Sequence, residues 1–215
     1  MVKKKSIETL ISKELVDYNY AINFMEQRIE AIKNNTKPEM IWLLSHPSIY
    51  TCGISSNKKD FLSKPNIPVY EASRGGQITY HGPGQRIVYV MLNLNENKDL
   101  RKFIKTLENI CIECLKEFGI ESRSYRNRIG IWVKKNRFNN PENEKKIGSI
   151  GIKIKKWVTF HGFSLNVNPN LEYFNAINSC GIKNCKVTSI KDLGINITNK
   201  EFDKVLLKNL NKFLY

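Results

Sequence analysis

Apolar residues recur at three- and four-residue steps through Leu10, Ile11, Leu15, Tyr18, Ala21, Ile22, Met25 and Ile29, which predicts an amphipathic first helix over residues 7–32, with room for one break. The run Met40, Ile41, Trp42, Leu43, Leu44 then reads as a buried strand, and residues 45–53 hold a short apolar piece bracketed by Pro47 and Gly53. Residues 69–72 and 87–94 read as two further strands, the second rich in β-branched and aromatic side chains. Between residues 99 and 118 one apolar stripe, with Phe103, Leu107, Ile110, Cys111, Cys114 and Leu115 in it, marks a second helix made to lie on a sheet. Strands follow at 128–133, 146–154 and 157–167, and the polar insertion over residues 134–144 reads as a hairpin loop. The capping-box pair Thr198 and Glu201 opens a last helix that turns Phe202, Val205, Leu206, Leu210 and Phe213 inward.

Helices and strands thus mix without strict βαβ alternation, which predicts an α+β fold with a mixed, largely antiparallel sheet flanked by helices. A length of 215 residues with 41% hydrophobic content suits a single domain over residues 1–215. The basic start at Lys3, Lys4 and Lys5 leads into no apolar signal segment, and no run approaches the roughly 18 apolar residues of a membrane span. A soluble, cytoplasmic protein is expected. Five cysteines, an odd number, speak for reduced thiols rather than a disulfide framework. The net charge of +15 fits either lysine-rich solvated faces or an acidic partner. No nucleic-acid-binding pattern accompanies it, and acidic carrier proteins would answer the same field.

The densest candidate for chemistry is RGGQITYHGPGQ at residues 74–85, with four glycines, an arginine and a histidine between strand-like runs. Glycines so closely spaced let a ligand approach the main chain, at an entropic cost that a core would not repeat. The segment is not a dinucleotide fingerprint, because the third glycine is missing and a strand follows where a helix N-terminus is required. Cys111 and Cys114 form a C-x-x-C on the apolar stripe of the second helix, so they read as buried small hydrophobes. Pairing them with Cys180 and Cys185 as a zinc set has only weak spacing in its favour. Cys180 stands before Gly181 on a turn, where an accessible thiol with nearby main-chain donors would suit a nucleophile. Such a thiol needs a cation or base beside it. The candidates are lysines near Ser149 and the histidines His46, His81 and His161, and spacing does not choose among them.

Residues 74–85 resemble the signature of the octanoyltransferases of lipoate biosynthesis, in the biotin and lipoate ligase-like group. HPSIYTCG at 46–53, KIGSIGIKI at 146–154, TFHGFSLNVN at 159–168 and Cys180-Gly181 resemble that family's other segments, in the same order. One departure is Ser179, where the family usually has proline before the cysteine.

The resemblance implies the ligase-like fold and a catalytic pair, Lys146 and the acyl-accepting Cys180. It implies that Arg74, Gly75, Gly76, Gln77, Ile78, Thr79, Tyr80 and His81 line the acyl-thioester site, joined by Ser149, Ile150, Gly151, Gly162, Phe163 and Ser164. It implies octanoyl-acyl carrier protein as donor, with lipoyl domains of 2-oxoacid dehydrogenase complexes and the glycine cleavage H protein as acceptors. Neither metal nor cofactor is expected, nor is a nucleic-acid or membrane partner, and the protein is expected to act as a monomer. The competing reading on the same fold is an ATP-dependent lipoate or biotin ligase, which needs a phosphate-gripping loop that is not evident in the sequence.

Overall fold

The computed structural model describes residues 7–134, 144–182 and 185–214. The expected hairpin loop at 134–144 falls largely on residues 135–143, outside that description.

Seven strands form the main sheet: β1 (Ile7–Leu15), β2 (Glu39–Ser45), β6 (Gln85–Met91), β10 (Val158–Asn166), β9 (Glu144–Lys155), β8 (Arg128–Lys134) and β7 (Ser122–Tyr125), in that spatial order. All neighbours pair antiparallel except β1 and β2. Three strands, β4 (Val69–Glu71), β3 (Ile49–Cys52) and β5 (Ile78–His81), form a second sheet. The mixed, mostly antiparallel α+β architecture is the expected one, but the second sheet was not foreseen.

The first helix is shorter than its periodicity predicts. Residues 7–15 are strand β1, laddered in parallel on β2 from Ile7 opposite Glu39 to Leu15 opposite Ser45. Helix α1 (Tyr18–Lys33) starts only after Asp17, whose side chain accepts from Tyr20 N at 2.9 Å. The spacing of Leu10, Ile11 and Leu15 imitates a helix because β1 is an edge strand that buries little: Ile11 is 42% and Leu15 49% exposed. Its main-chain ladder, supplied by a strand some thirty residues on, overrides the local pattern.

Strands β2 and β6 are buried on both faces, which is why they read as continuous apolar runs. One face sends Met40, Trp42, Ile87 and Met91 against Ala21, Met25 and Ile29 of α1. The opposite face sends Ile41, Leu43, Val88 and Val90 against α2 (Leu100–Glu117), whose stripe of Phe103, Leu107, Ile110, Cys111 and Cys114 is buried as expected. Helix α3 (Asn199–Leu214) closes that layer with Phe202, Leu206 and Leu210. Its predicted capping box is present: Thr198 N donates to Glu201 Oε2 at 2.8 Å and Glu201 N to Thr198 Oγ1 at 3.2 Å. A buried two-pronged pair, Arg86 Nε and Nη2 on Asp203, ties the helix to β6.

The second sheet packs through Tyr50, Ile78 and Tyr80 against Phe174 and Ile177. Tyr80 stacks on Tyr173 with ring centroids 4.8 Å apart. The small sheet is thereby held close to the segment that leads into Cys180.

Candidate active site

A cavity of about 330 Å³ opens between the two sheets, a size suited to a small-molecule chain. Strands β6, β9 and β10 wall one side, and β3, β5 and the glycine-rich segment the other. The segment owes its shape to Arg74. Its Nη2 donates to Thr51 O at 2.9 Å and Thr51 Oγ1 at 2.7 Å, while Nη1 donates to Gly75 O at 3.1 Å and Gln77 O at 3.0 Å. The guanidinium therefore grips the main chain on both sides of the wall and makes the loop rigid.

Lys146 is 3% exposed on β9. Strand β10 pairs with β9 only as far as Leu165 opposite Gly148, so at Lys146 another segment takes its place. Lys146 N donates to Lys186 O at 2.8 Å, and Thr188 N to Lys146 O at 2.8 Å. The lysine side chain runs over Gly130 of β8, which adopts φ 130°; a methyl group there would stand 2.7 Å from Lys146 Cε and 3.5 Å from Nζ. Glycine is needed at that position for the lysine to reach the cavity it lines.

The backbone of Cys180 lies in a 3₁₀ turn, Ser179–Gly181. Gly181 N donates to Asn178 O at 2.9 Å and Ile182 N to Ser179 O at 3.3 Å, so these two N–H groups serve the turn itself. Ile182, two residues beyond Cys180, reaches the cavity wall that Lys146 also lines. From there the chain returns to pair with Lys146 through residues 186–188. Ser179 is 1% exposed, and its hydroxyl has no hydrogen-bond partner among the described residues.

All three histidines are buried; His81 and His161 line the cavity and His46 does not. His46 Nδ1 donates to Val16 O at 2.6 Å, which leaves Nε2 to accept from the Tyr89 hydroxyl at 2.7 Å. His81 Nδ1 donates to Gln85 Oε1 at 2.6 Å; Gln85 Nε2 donates to Asn166 Oδ1 at 2.9 Å, and Asn166 Nδ2 to Thr188 O at 2.9 Å. His161 takes a left-handed φ of 66°, which brings its ring to 6.0 Å from that of Tyr89. Burial is the first cause that pulls His46 down to about 4, and His81 and His161 to about 3. All three are neutral near pH 7. Of the cationic partners left open by the sequence, these imidazoles therefore do not supply a positive charge.

The remaining thiols differ in the same way. Burial raises Cys52, pushes Cys114 up to about 12 and holds Cys111 well above the ordinary thiol value. Among the described residues no group of three or more metal-ligating side chains comes together.

Of the expected substrate-binding residues, Arg74, Gly76, Gln77, Ile78, Thr79 and His81 line the cavity, as do Ser149, Ile150, Gly151, Gly162, Phe163 and Ser164. Gly75 and Tyr80 stand off its wall: Gly75 N pairs with Ile152 O at 3.2 Å, and the Tyr80 hydroxyl meets Ser48 Oγ at 3.0 Å. Tyr18, Tyr89, Arg128 and His161 line the cavity without having been singled out as binding residues. Tyr89 carried a signal, a lone hydroxyl in the buried apolar run of residues 87–92, which had to find a partner. Arg128 gave none; only the fold brings it over the Trp132 ring, 3.8 Å from its centroid, and onto Glu144.

With this two-sheet frame and a buried lysine at a cavity walled by a glycine-rich segment, the chain belongs to the lipoyl protein ligase A/B catalytic domain family, whose model residues 17–211 match. The fold is similar to the bipartite lipoate protein ligase of Thermoplasma acidophilum, with a TM-score of 0.70, 15% identity and coverage of 97% of this chain and 84% of that one. It is also similar to a lipoate-protein ligase A bound with ATP, with a TM-score of 0.69, 16% identity and coverage of 96% and 85%. Within the family the chain belongs to the octanoyltransferases, acyltransferases that carry octanoyl transfer in lipoylation. It is 47% identical to the octanoyltransferase of Bartonella tribocorum over 93% of this chain and 84% of that one. It is 45% identical to that of a Wolbachia of Brugia malayi, over 96% and 98%.

Proposed function

We propose that the protein moves an octanoyl group from acyl carrier protein to the ε-amine of a lipoyl-domain lysine through a thioester on Cys180. The observation that carries this reading is the return of the Cys180 loop onto Lys146, both bordering one cavity. An ammonium beside the thiol favours the thiolate. The thiolate sulfur adds to the thioester carbonyl carbon and the π pair moves to oxygen; collapse then expels the carrier thiolate, which takes the Lys146 proton. The incoming neutral amine attacks the acyl-enzyme, and Lys146, now neutral, accepts its proton directly or through a water. Collapse releases the amide and restores the thiolate and ammonium. The first step exchanges one thioester for another, and amide formation drives the second.

The acceptors on this reading are the lipoyl domains of 2-oxoacid dehydrogenase complexes and the glycine cleavage H protein. The +15 net charge suits acidic carriers. Intact mass spectrometry after mixing with octanoyl-acyl carrier protein tests the scheme. The wild type should gain one octanoyl group without ATP, Cys180→Ala none, and Lys146→Ala the same adduct more slowly. An adduct on Cys52 or Cys185, or transfer that required ATP and free octanoate, would overturn it.

A further inference from the structure

One polar side chain on the cavity wall beside the nucleophile turn is uncommitted. The Gln77 carboxamide packs flat on Gly181: a methyl group on that residue would stand 2.1 Å from Gln77 Oε1 and 2.6 Å from both Cδ and Nε2. Gly181 holds φ 64°, so glycine there satisfies both the turn and the contact. Gln77 Oε1 is buried with no hydrogen-bond partner among the described residues. Both ends of the carboxamide therefore lie against the nucleophile turn, at the edge of the cavity that Gln77 lines.

An unpaired buried amide oxygen is costly and calls for a functional account. Its main chain is fixed, since Gln77 O accepts from Arg74 Nη1 at 3.0 Å and from Gly53 N at 3.5 Å. The group is therefore held in place before any substrate arrives. The obvious main-chain donors behind Cys180 are engaged, Gly181 N on Asn178 O and Ile182 N on Ser179 O. A tetrahedral intermediate formed at this turn cannot draw on those two N–H groups without breaking the turn, and a side-chain donor packed on it would add to what the main chain offers.

We infer that Gln77 Nε2 donates a hydrogen bond to the carbonyl oxygen of the octanoyl thioester as it becomes an oxyanion, which makes Gln77 a catalytic residue rather than a passive part of the wall. The inference rests on Cys180 being the acyl acceptor. As the sulfur–carbon bond forms, the oxygen gains the π pair and draws in the amide N–H; as the carrier thiolate leaves, the pair returns and the contact weakens. No proton changes hands at Gln77, so its effect is confined to steps that build charge on that oxygen.

That restriction supplies the test. Alkylation of Cys180 by iodoacetamide displaces iodide and passes through no oxyanion, whereas acylation by octanoyl-acyl carrier protein does. In Gln77→Met and Gln77→Glu, quench-flow intact mass should show acylation slowed by roughly 10²–10³-fold, the loss typical of one oxyanion donor. Alkylation in Gln77→Met should stay within about threefold of wild type, which also shows that the turn is intact. Acylation of Gln77→Met within about fivefold of wild type, or an equal fall in both reactions, would overturn the inference. A wild-type adduct on a residue other than Cys180 would instead strike the acyl-acceptor reading, and the inference with it.

Discussion

Two regions beside the main sheet, the layer under α2 and α3 and the space between the sheets, are built on opposite rules. Under α2 and α3 the contacts are almost wholly apolar, and even the thiols Cys111 and Cys114 are used as small hydrophobes. Between the sheets, buried polar groups crowd together, from His46 and Tyr89 to the chain His81, Gln85, Asn166 and Thr188. Gln77, Thr79 and His161 each keep a buried polar atom unpartnered there among the described residues, and His161 adopts a backbone conformation that side chains disfavour. The helix side supplies cohesion that the cavity side uses to keep strained and unpaired groups in place. Burial raises a thiol under the helices and neutralises imidazoles between the sheets, so a single physical cause yields inert packing in one region and a tuned site in the other.

Leu107→Ala on the helix side should give the largest effect. It removes a fully buried side chain and should cost about 2–5 kcal/mol in urea unfolding, with turnover per folded molecule unchanged. A fall in turnover matching the fall in stability would mean that the two regions are not separable.

Gly130→Ala should do the reverse. Its methyl group enters the space of Lys146 Cε, and displacement of a reacting group by about 1 Å can cost on the order of 100-fold in rate. The backbone strain at φ 130° adds about 1–3 kcal/mol of instability, less than at Leu107. Turnover within twofold of wild type would show that the lysine is not held by this contact.

The smallest effect is the share of a single imidazole, His46, in the pH dependence of stability. Above the ordinary histidine value of about 6.5, folded and unfolded chains both hold the imidazoles neutral, and stability is level. Below it the unfolded chain takes up protons that the fold refuses until about 4 at His46 and about 3 at His81 and His161. Stability should then fall with falling pH, by as much as about 1.4 kcal/mol per unit for each imidazole. Urea midpoints measured from pH 7.5 to 5 should show this decline, with a shallower slope in His46→Asn. A flat profile would show that the site is not sealed from water.

The helix side was legible because its code is local. The stripe on α2 and the capping box on α3 can be read within eighteen residues or fewer. Strand β1 was not, because what makes it a strand is the ladder to β2, and main-chain pairing leaves no trace in side-chain spacing. The glycine-rich wall was found but its inner strand was missed, although Ile78, Thr79 and Tyr80 have the residue types for one. Arg74 was legible as a site residue; its bonds to Thr51, Gly75 and Gln77 were not, since they depend on which carbonyls the fold turns toward it. Gln77 and Gly181 lie far apart in sequence, and no spacing rule joins a carboxamide to a turn a hundred residues later.

The docking of residues 186–188 onto Lys146 also ties the timing of two distant stretches of chain. The amide protons of Lys146 and Thr188 sit in paired bonds, each to the other's segment, so neither can reach solvent until that short ladder parts. Isotope exchange at the two positions should therefore rise and fall together. A carrier that steadied the loop after Cys180 would be felt, as slower exchange, on strand β9 some forty residues earlier in the chain.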